Sequence, residues 1–137
     1  LVAGESVELK LHLANVGSRA GAEIVQVYVR DIEASVYRPD RELRAFSKVR
    51  LSVGECKEVR LSLPPRAFAF YDVNAGDWYI EPGDFELLVG ASSSNIRLST
   101  VVTITSADVR QEVGGSSVRH YTTLDDEALA LLGLRVP

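Results

Sequence analysis

FAFYDVNAGDWYIEPGDFELLVGASS, residues 68–93, is the stretch whose reading decides the fold. A block of Phe68, Phe70 and Tyr71 runs into a turn-forming segment from Asp72 to Asp77. Trp78 and Tyr79 follow, then the turn Glu81-Pro82-Gly83-Asp84, then a strand pattern with Phe85, Leu87 and Val89 on one side. Short apolar runs cut by Asn, Asp, Gly and Pro are the punctuation of strands and tight turns. Helical apolar residues would instead recur every three or four positions. Each aromatic side chain buries roughly 150–250 Å², so this segment carries a large share of the core and its neighbours should be strands packed around it.

Upstream, Ser6 to Ala14 alternates Val7, Leu9, Leu11 and Leu13 with Glu8, Lys10 and His12, the period-two signature of a half-buried strand. Glu23 to Arg30 has β-branched residues on both faces, which reads as a strand central in its sheet. Asp31 to Asp40 has no period and contains Pro39, so it reads as a surface loop. In Arg41 to Val53, Leu43, Val49 and Leu51 supply the apolar side, and Val53-Gly54-Glu55 turns the chain into Lys57 to Leu63. These two segments read as a hairpin. Pro64-Pro65 stops the second, because proline cannot donate to a ladder. After the aromatic stretch, Asn95 to Thr105 supplies a last strand. Six or seven short strands with no helix between them predict an all-β, immunoglobulin or fibronectin type III-like sandwich of two sheets over residues 1–105.

The composition bounds the function. The 137 residues carry 15 Lys and Arg against 19 Asp and Glu, a net charge of −4, with the Arg residues scattered. That argues against a nucleic-acid surface, which needs clustered cations. No apolar run approaches the ~20 residues of a membrane span. Cys56, the single cysteine, has no partner for an internal disulfide, so it assigns no compartment; cytoplasmic and secreted locations both stay open. The chain opens on Leu1 and enters a strand pattern almost at once, which reads as a piece of a longer polypeptide.

Residues 106–137 differ in character. Ser106 to Thr123, with Gly114-Gly115-Ser116-Ser117 at its centre, reads as a polar arm. A short amphipathic helix is expected after it, with Thr123 as N-cap, acidic residues 125–127 at the positive end of the dipole, and Gly133 closing it. Its stripe of Leu124, Ala128, Leu131 and Leu132 should dock on this sandwich or on another domain or subunit.

Several motifs occur together in one order: Gly21-Ala22-Glu23-Ile24-Val25-Gln26-Val27-Tyr28-Val29, Arg38-Pro39 with Glu42-Leu43 and Phe46, Gly54-Glu55, Phe70-Tyr71-Asp72, Trp78, Glu81-Pro82-Gly83 and Val89-Gly90-Ala91-Ser92-Ser93. From about Glu5 to Ile104 the chain resembles the C-terminal fibronectin type III-like domain of family 3 glycoside hydrolases, mostly β-glucosidases and β-xylosidases. In that family the domain follows a catalytic barrel and an α/β sandwich, which bear an Asp nucleophile and a Glu acid/base. The resemblance implies a non-catalytic accessory domain that stabilises and packs against those domains. The rim of the substrate pocket is a further place it could contribute. The partners implied are the barrel and α/β sandwich domains of the parent chain, with a second subunit reached through the C-terminal arm as another option. No cofactor is implied.

A glycosidase needs two carboxyls about 5–5.5 Å apart for retention or about 6.5–9.5 Å for inversion. Asp72, Asp77, Glu81 and Asp84 lie close in sequence, but all occupy turn positions, where such side chains cap backbone N–H groups. Their spacing does not match a calcium loop. His12, on the polar face of a strand, and His120, in the tail, do not suggest a pair, so no catalytic or metal residue is assigned. The Asp31 to Phe46 segment is the expected functional surface, with Tyr37, Arg38, Pro39 and Glu42 in inter-domain contact and Arg38 making a charged hydrogen bond across it. The alternative is a stand-alone carbohydrate- or protein-binding module in which Trp78 and Tyr79 form a stacking platform.

Overall fold

A computed structural model describes residues 5–105; the arm and short helix expected in residues 106–137 lie outside the described residues. The strands are β1 (Val7–Ala14), β2 (Gly21–Asp31), β3 (Glu42–Leu51), β4 (Cys56–Leu63), β5 (Phe70–Asp72), β6 (Asp77–Tyr79), β7 (Gly83–Ser92) and β8 (Asn95–Ile104). They form a two-stranded sheet β1-β4, a four-stranded sheet β3-β2-β7-β8, and the small hairpin β5-β6. Every pairing is antiparallel. The expected all-β sandwich is present, and β2 lies between two neighbours, as its doubly apolar sequence predicts. No helix among the described residues is long and apolar enough to cross a membrane.

The two larger sheets meet through alternating side chains. Val7, Val59, Leu61 and Leu63 from one pack against Val25, Val27, Val29, Phe85, Leu87 and Ile104 from the other. After Leu63 the chain makes a 3₁₀ turn, Pro65–Ala67, in which proline occupies the first positions where no amide donor is needed. The turn delivers Phe68 into the core, where its ring meets Phe85 edge-on with centroids 5.4 Å apart. Both rings are buried. Because Phe68 belongs to the connection and Phe85 to β7, this contact fixes the crossover against the four-stranded sheet.

Two readings from the sequence are corrected here. β3 and β4 do not form a hairpin: β3 pairs with β2, and β4 pairs with β1 in the other sheet. The linker carries Gly54 in the left-handed region, at φ 72°. It is tied to the end of β1, with Asn15 N–H donating to the Glu55 carbonyl at 2.9 Å and Gly54 N–H to the Asn15 carbonyl at 3.0 Å. A tight turn therefore spans two layers, which local sequence does not distinguish from a turn within one. Leu43 also does not share a face with Val49 and Leu51. Val27 pairs with Ala45 and Tyr28 with Leu43, so Arg44 is one residue too many and forms a β-bulge. Past the bulge the alternation flips, and Leu43 faces away from the core, about half exposed.

The strand directions set two ends. At one lie the β1–β2 connection and the β3–β4 turn. At the other lie the loop 32–41, the 3₁₀ turn, the β5-β6 hairpin, the start of β1 and the end of β8.

Truncating the wedge should show its weight. Phe85→Ala removes a fully buried ring and should cost about 3–5 kcal/mol in urea unfolding. Val16→Ala, at a site almost fully exposed, should stay within about 0.5 kcal/mol. Similar losses for both would refute the assigned core.

Candidate functional site

The loop after β2 is held from below by one side chain. Arg38 donates from Nη1 to Asp31 Oδ2 at 3.0 Å and to the Phe68 carbonyl at 3.2 Å, and from Nη2 to Glu42 Oε2 at 2.9 Å. Its guanidinium also lies 5.8 Å from the centroid of the Phe70 ring. The Arg38 and Asp31 side chains are only 6% and 5% exposed, so this ion pair sits in a low dielectric where water does not screen it. The chain ends joined are the last residue of β2, the first of β3 and the residue after the 3₁₀ turn. Ile32 N–H to the Asp84 carbonyl at 3.1 Å and Ser35 N–H to Glu81 Oε2 at 3.1 Å fix the rest of the loop.

The sequence reading gave Arg38 a hydrogen bond to a neighbouring domain; the geometry finds its guanidinium engaged within this one. Tyr37 instead is fully exposed, and Pro39, Ile32 and Val36 are exposed with it. Arg38 thus positions the loop, and Tyr37 and Pro39 are what it presents. Glu42, a quarter exposed, accepts from Arg38 and, through Oε1, from Arg44 Nη2 at 2.8 Å. The exposed Asp40 has its carboxyl held below the ordinary range, chiefly by the hydrogen bond from Arg41, with desolvation opposing and the nearby positive charges of Arg41 and Arg30 assisting.

The hairpin β5-β6 carries the aromatic pairs. Phe70 and Tyr79 meet edge-on at 5.7 Å, and Tyr71 and Trp78 at 5.5 Å. Trp78 is half-buried against the core. Arg66, which sequence reasoning missed, puts its guanidinium carbon 3.4 Å from the centroid of the Trp78 ring, a cation–π contact that covers one face. No local spacing signals this pair, because the 3₁₀ turn brings Arg66 to the hairpin through space.

Each carboxylate weighed as catalytic has a partner in the scaffold. Asp72 Oδ1 accepts from Asn74 N–H at 2.9 Å and caps the turn in which Gly76 stands at φ 68°. Asp77 Oδ1 accepts from Trp78 N–H at 2.7 Å, and Asp84 Oδ1 accepts from the Thr103 hydroxyl at 2.5 Å. Glu81 holds Ser35, as described above. Among the described residues no group of three or more His, Cys, Asp or Glu side chains could hold a metal ion. His12 and Cys56 both lie exposed at the surface of the β1-β4 sheet.

The model of the fibronectin type III-like domain matches residues 23–93. Thermostable beta-glucosidase B of Acetivibrio thermocellus is 41% identical over 128 residues, covering 93% of this chain and 17% of that protein. In solved structures, the beta-glucosidase of Listeria innocua in complex with glucose superposes with a TM-score of 0.73 at 38% identity, over 77% of this chain and 14% of that one. The beta-glucosidase of Kluyveromyces marxianus in complex with glucose gives 0.73 at 32%, over 74% and 13%. The chain therefore spans about a sixth or less of the length of these relatives.

Removing the clamp should be costly. Arg38→Ala leaves the buried Asp31 carboxylate without its cationic partner, and should destabilise the 137-residue chain by about 3–5 kcal/mol in chemical denaturation. Arg60→Ala, which loses the exposed partner Glu58 on the β1-β4 sheet, should cost about 1 kcal/mol or less. Equal effects would mean that Arg38 is no clamp.

Proposed function

The chain belongs to the fibronectin type III-like domain family, and from that premise we propose that it is a non-catalytic accessory domain of a β-glucosidase of glycoside hydrolase family 3. Its role is to stabilise and pack against the catalytic barrel and α/β sandwich domains of a longer parent chain. The loop Ile32 to Arg41 makes the contact, and the end of the sandwich it occupies contributes to the rim of the substrate pocket. The observation that carries this reading is the clamp: Arg38 is buried in three hydrogen bonds while the adjacent Tyr37 is wholly exposed. An ordered loop that displays an aromatic residue at its tip suits a protein contact, because the ordering entropy is already spent before binding.

Further support comes from Asp72, Asp77, Glu81 and Asp84, each of which has an oxygen engaged by an N–H or hydroxyl of the scaffold. The start of β1 and the end of β8 also lie at the end that carries the loop. Polypeptide attached at either side would meet that end first. A free-standing sugar-binding module is less well served, since the guanidinium of Arg66 already occupies a face of Trp78.

Two measurements test the reading. The purified 137-residue chain should not hydrolyse an aryl β-glucoside, whereas a longer polypeptide containing it should; hydrolysis abolished by changing one of the chain's own carboxylates would overturn the proposal. Tyr37→Ala should leave the melting temperature of the 137-residue chain unchanged and lower that of the longer polypeptide by roughly 2–4 °C.

A further inference from the structure

The four-stranded sheet has a second apolar surface, on the side away from the core. Tyr28 and Leu88 are each only 7% exposed yet take no part in the core cluster. They pair with one another across β2 and β7, and Tyr28 pairs with Leu43 across β2 and β3. Beside them Leu43 is 49% exposed and Phe46 68% exposed. In an unbroken strand residues 43 and 46 would face opposite ways. The bulge at Arg44 brings Leu43 to the outer face beside Phe46, so the irregularity acts as a device that aims a second large apolar side chain at solvent.

The rim of this surface is built rather than loose. Gln26 Nε2 donates to the Ala91 carbonyl at 2.8 Å and Arg41 Nη1 to the Ser93 carbonyl at 2.9 Å, which draws the tip of the β7-β8 hairpin over the sheet. The approach is so close that a Cβ on Gly90 would lie 2.3 Å from the Asn95 carbonyl oxygen. Arg41 also belongs to the loop clamped by Arg38, so the outer face continues directly from that loop.

Resting on the proposed accessory role, we infer that Leu43 and Phe46 form the centre of a docking surface for another domain of the same longer polypeptide, which lies face-on against the four-stranded sheet. Three observations select this occupant. The surface runs on from the loop assigned to inter-domain contact. More than four-fifths of each relative's length lies outside the matched region. The bulge also lies on β3, an edge strand, where it breaks the flat ladder that a second copy would need for edge-to-edge pairing.

The test places Phe46→Asp and, separately, Tyr37→Ala in the longer polypeptide and in the 137-residue chain, with thermal unfolding and sedimentation velocity as readouts. Phe46→Asp should leave the melting temperature of the 137-residue chain within about one degree and lower that of the longer polypeptide by roughly 5 °C. An equal drop in both would make Phe46 a residue of this domain's own fold and overturn the inference. A wild-type 137-residue dimer that Phe46→Asp dissociates would assign the face to a second copy and overturn it too. If Tyr37→Ala alone weakens the longer polypeptide, the outer-face inference fails and the accessory role stands; if neither variant does, both fail.

Discussion

A single buried guanidinium organises the loop-bearing end of this sandwich. Arg38 joins the end of β2, the start of β3 and the backbone after the 3₁₀ turn, three places far apart in sequence. Burying charge is expensive, and a hydrophobic substitute for the whole network could be as stable. What a charged network adds is geometry: the planar fork fixes directions that an apolar contact leaves free. The loop consequently has little freedom although Tyr37 at its tip is fully exposed.

The aromatic residues divide their work along the same line. Phe68 and Phe85 are wholly buried and hold the sheets in register across the crossover. Phe70, Tyr71, Trp78 and Tyr79 pair in a hairpin of two three-residue strands, too small to be stable alone. That hairpin is held by its anchorage: Arg66 on the Trp78 ring, Trp78 on the core, and Arg38 beside Phe70. The rings in residues 68–85 thus act as structural joints, and aromatic density in a sequence does not by itself announce a ligand platform.

How much was legible follows from which forces are local. Alternation set out β1, β4 and β7 because period two is a property of each strand alone, the β-branched run on both faces marked β2, and the Pro64-Pro65 stop was visible in the same local way. The partner of β3 was not legible: Val53-Gly54-Glu55 suits a hairpin and a crossover between sheets equally well, and the choice depends on which strands are already paired. The face of Leu43 was hidden by the bulge at Arg44, since a ladder insertion is a property of the pair β2 and β3 and leaves no mark in β3 itself. At the candidate site the residues chosen from the sequence, Tyr37, Arg38, Pro39 and Glu42, lie in or beside the loop between β2 and β3. The partners of Arg38 were hidden because Asp31 and Phe68 reach it only through the fold.

The bulge also carries a thermodynamic argument. It interrupts the ladder between β2 and β3, and it turns Leu43 out of an interior where burial would contribute about 1.5–3 kcal/mol. Phe46, at two-thirds exposure, returns little of that to the isolated chain. A fold that gives up ladder bonds and apolar burial on one edge strand is locally inconsistent, and such departures collect where a surface has work beyond folding. Covering Leu43 and Phe46 with a second surface would restore the lost burial on the other side of the same sheet. Under the proposed docking, the energetic deficit of β3 and its position after the clamped loop would have one cause, a strand shaped to face a neighbour.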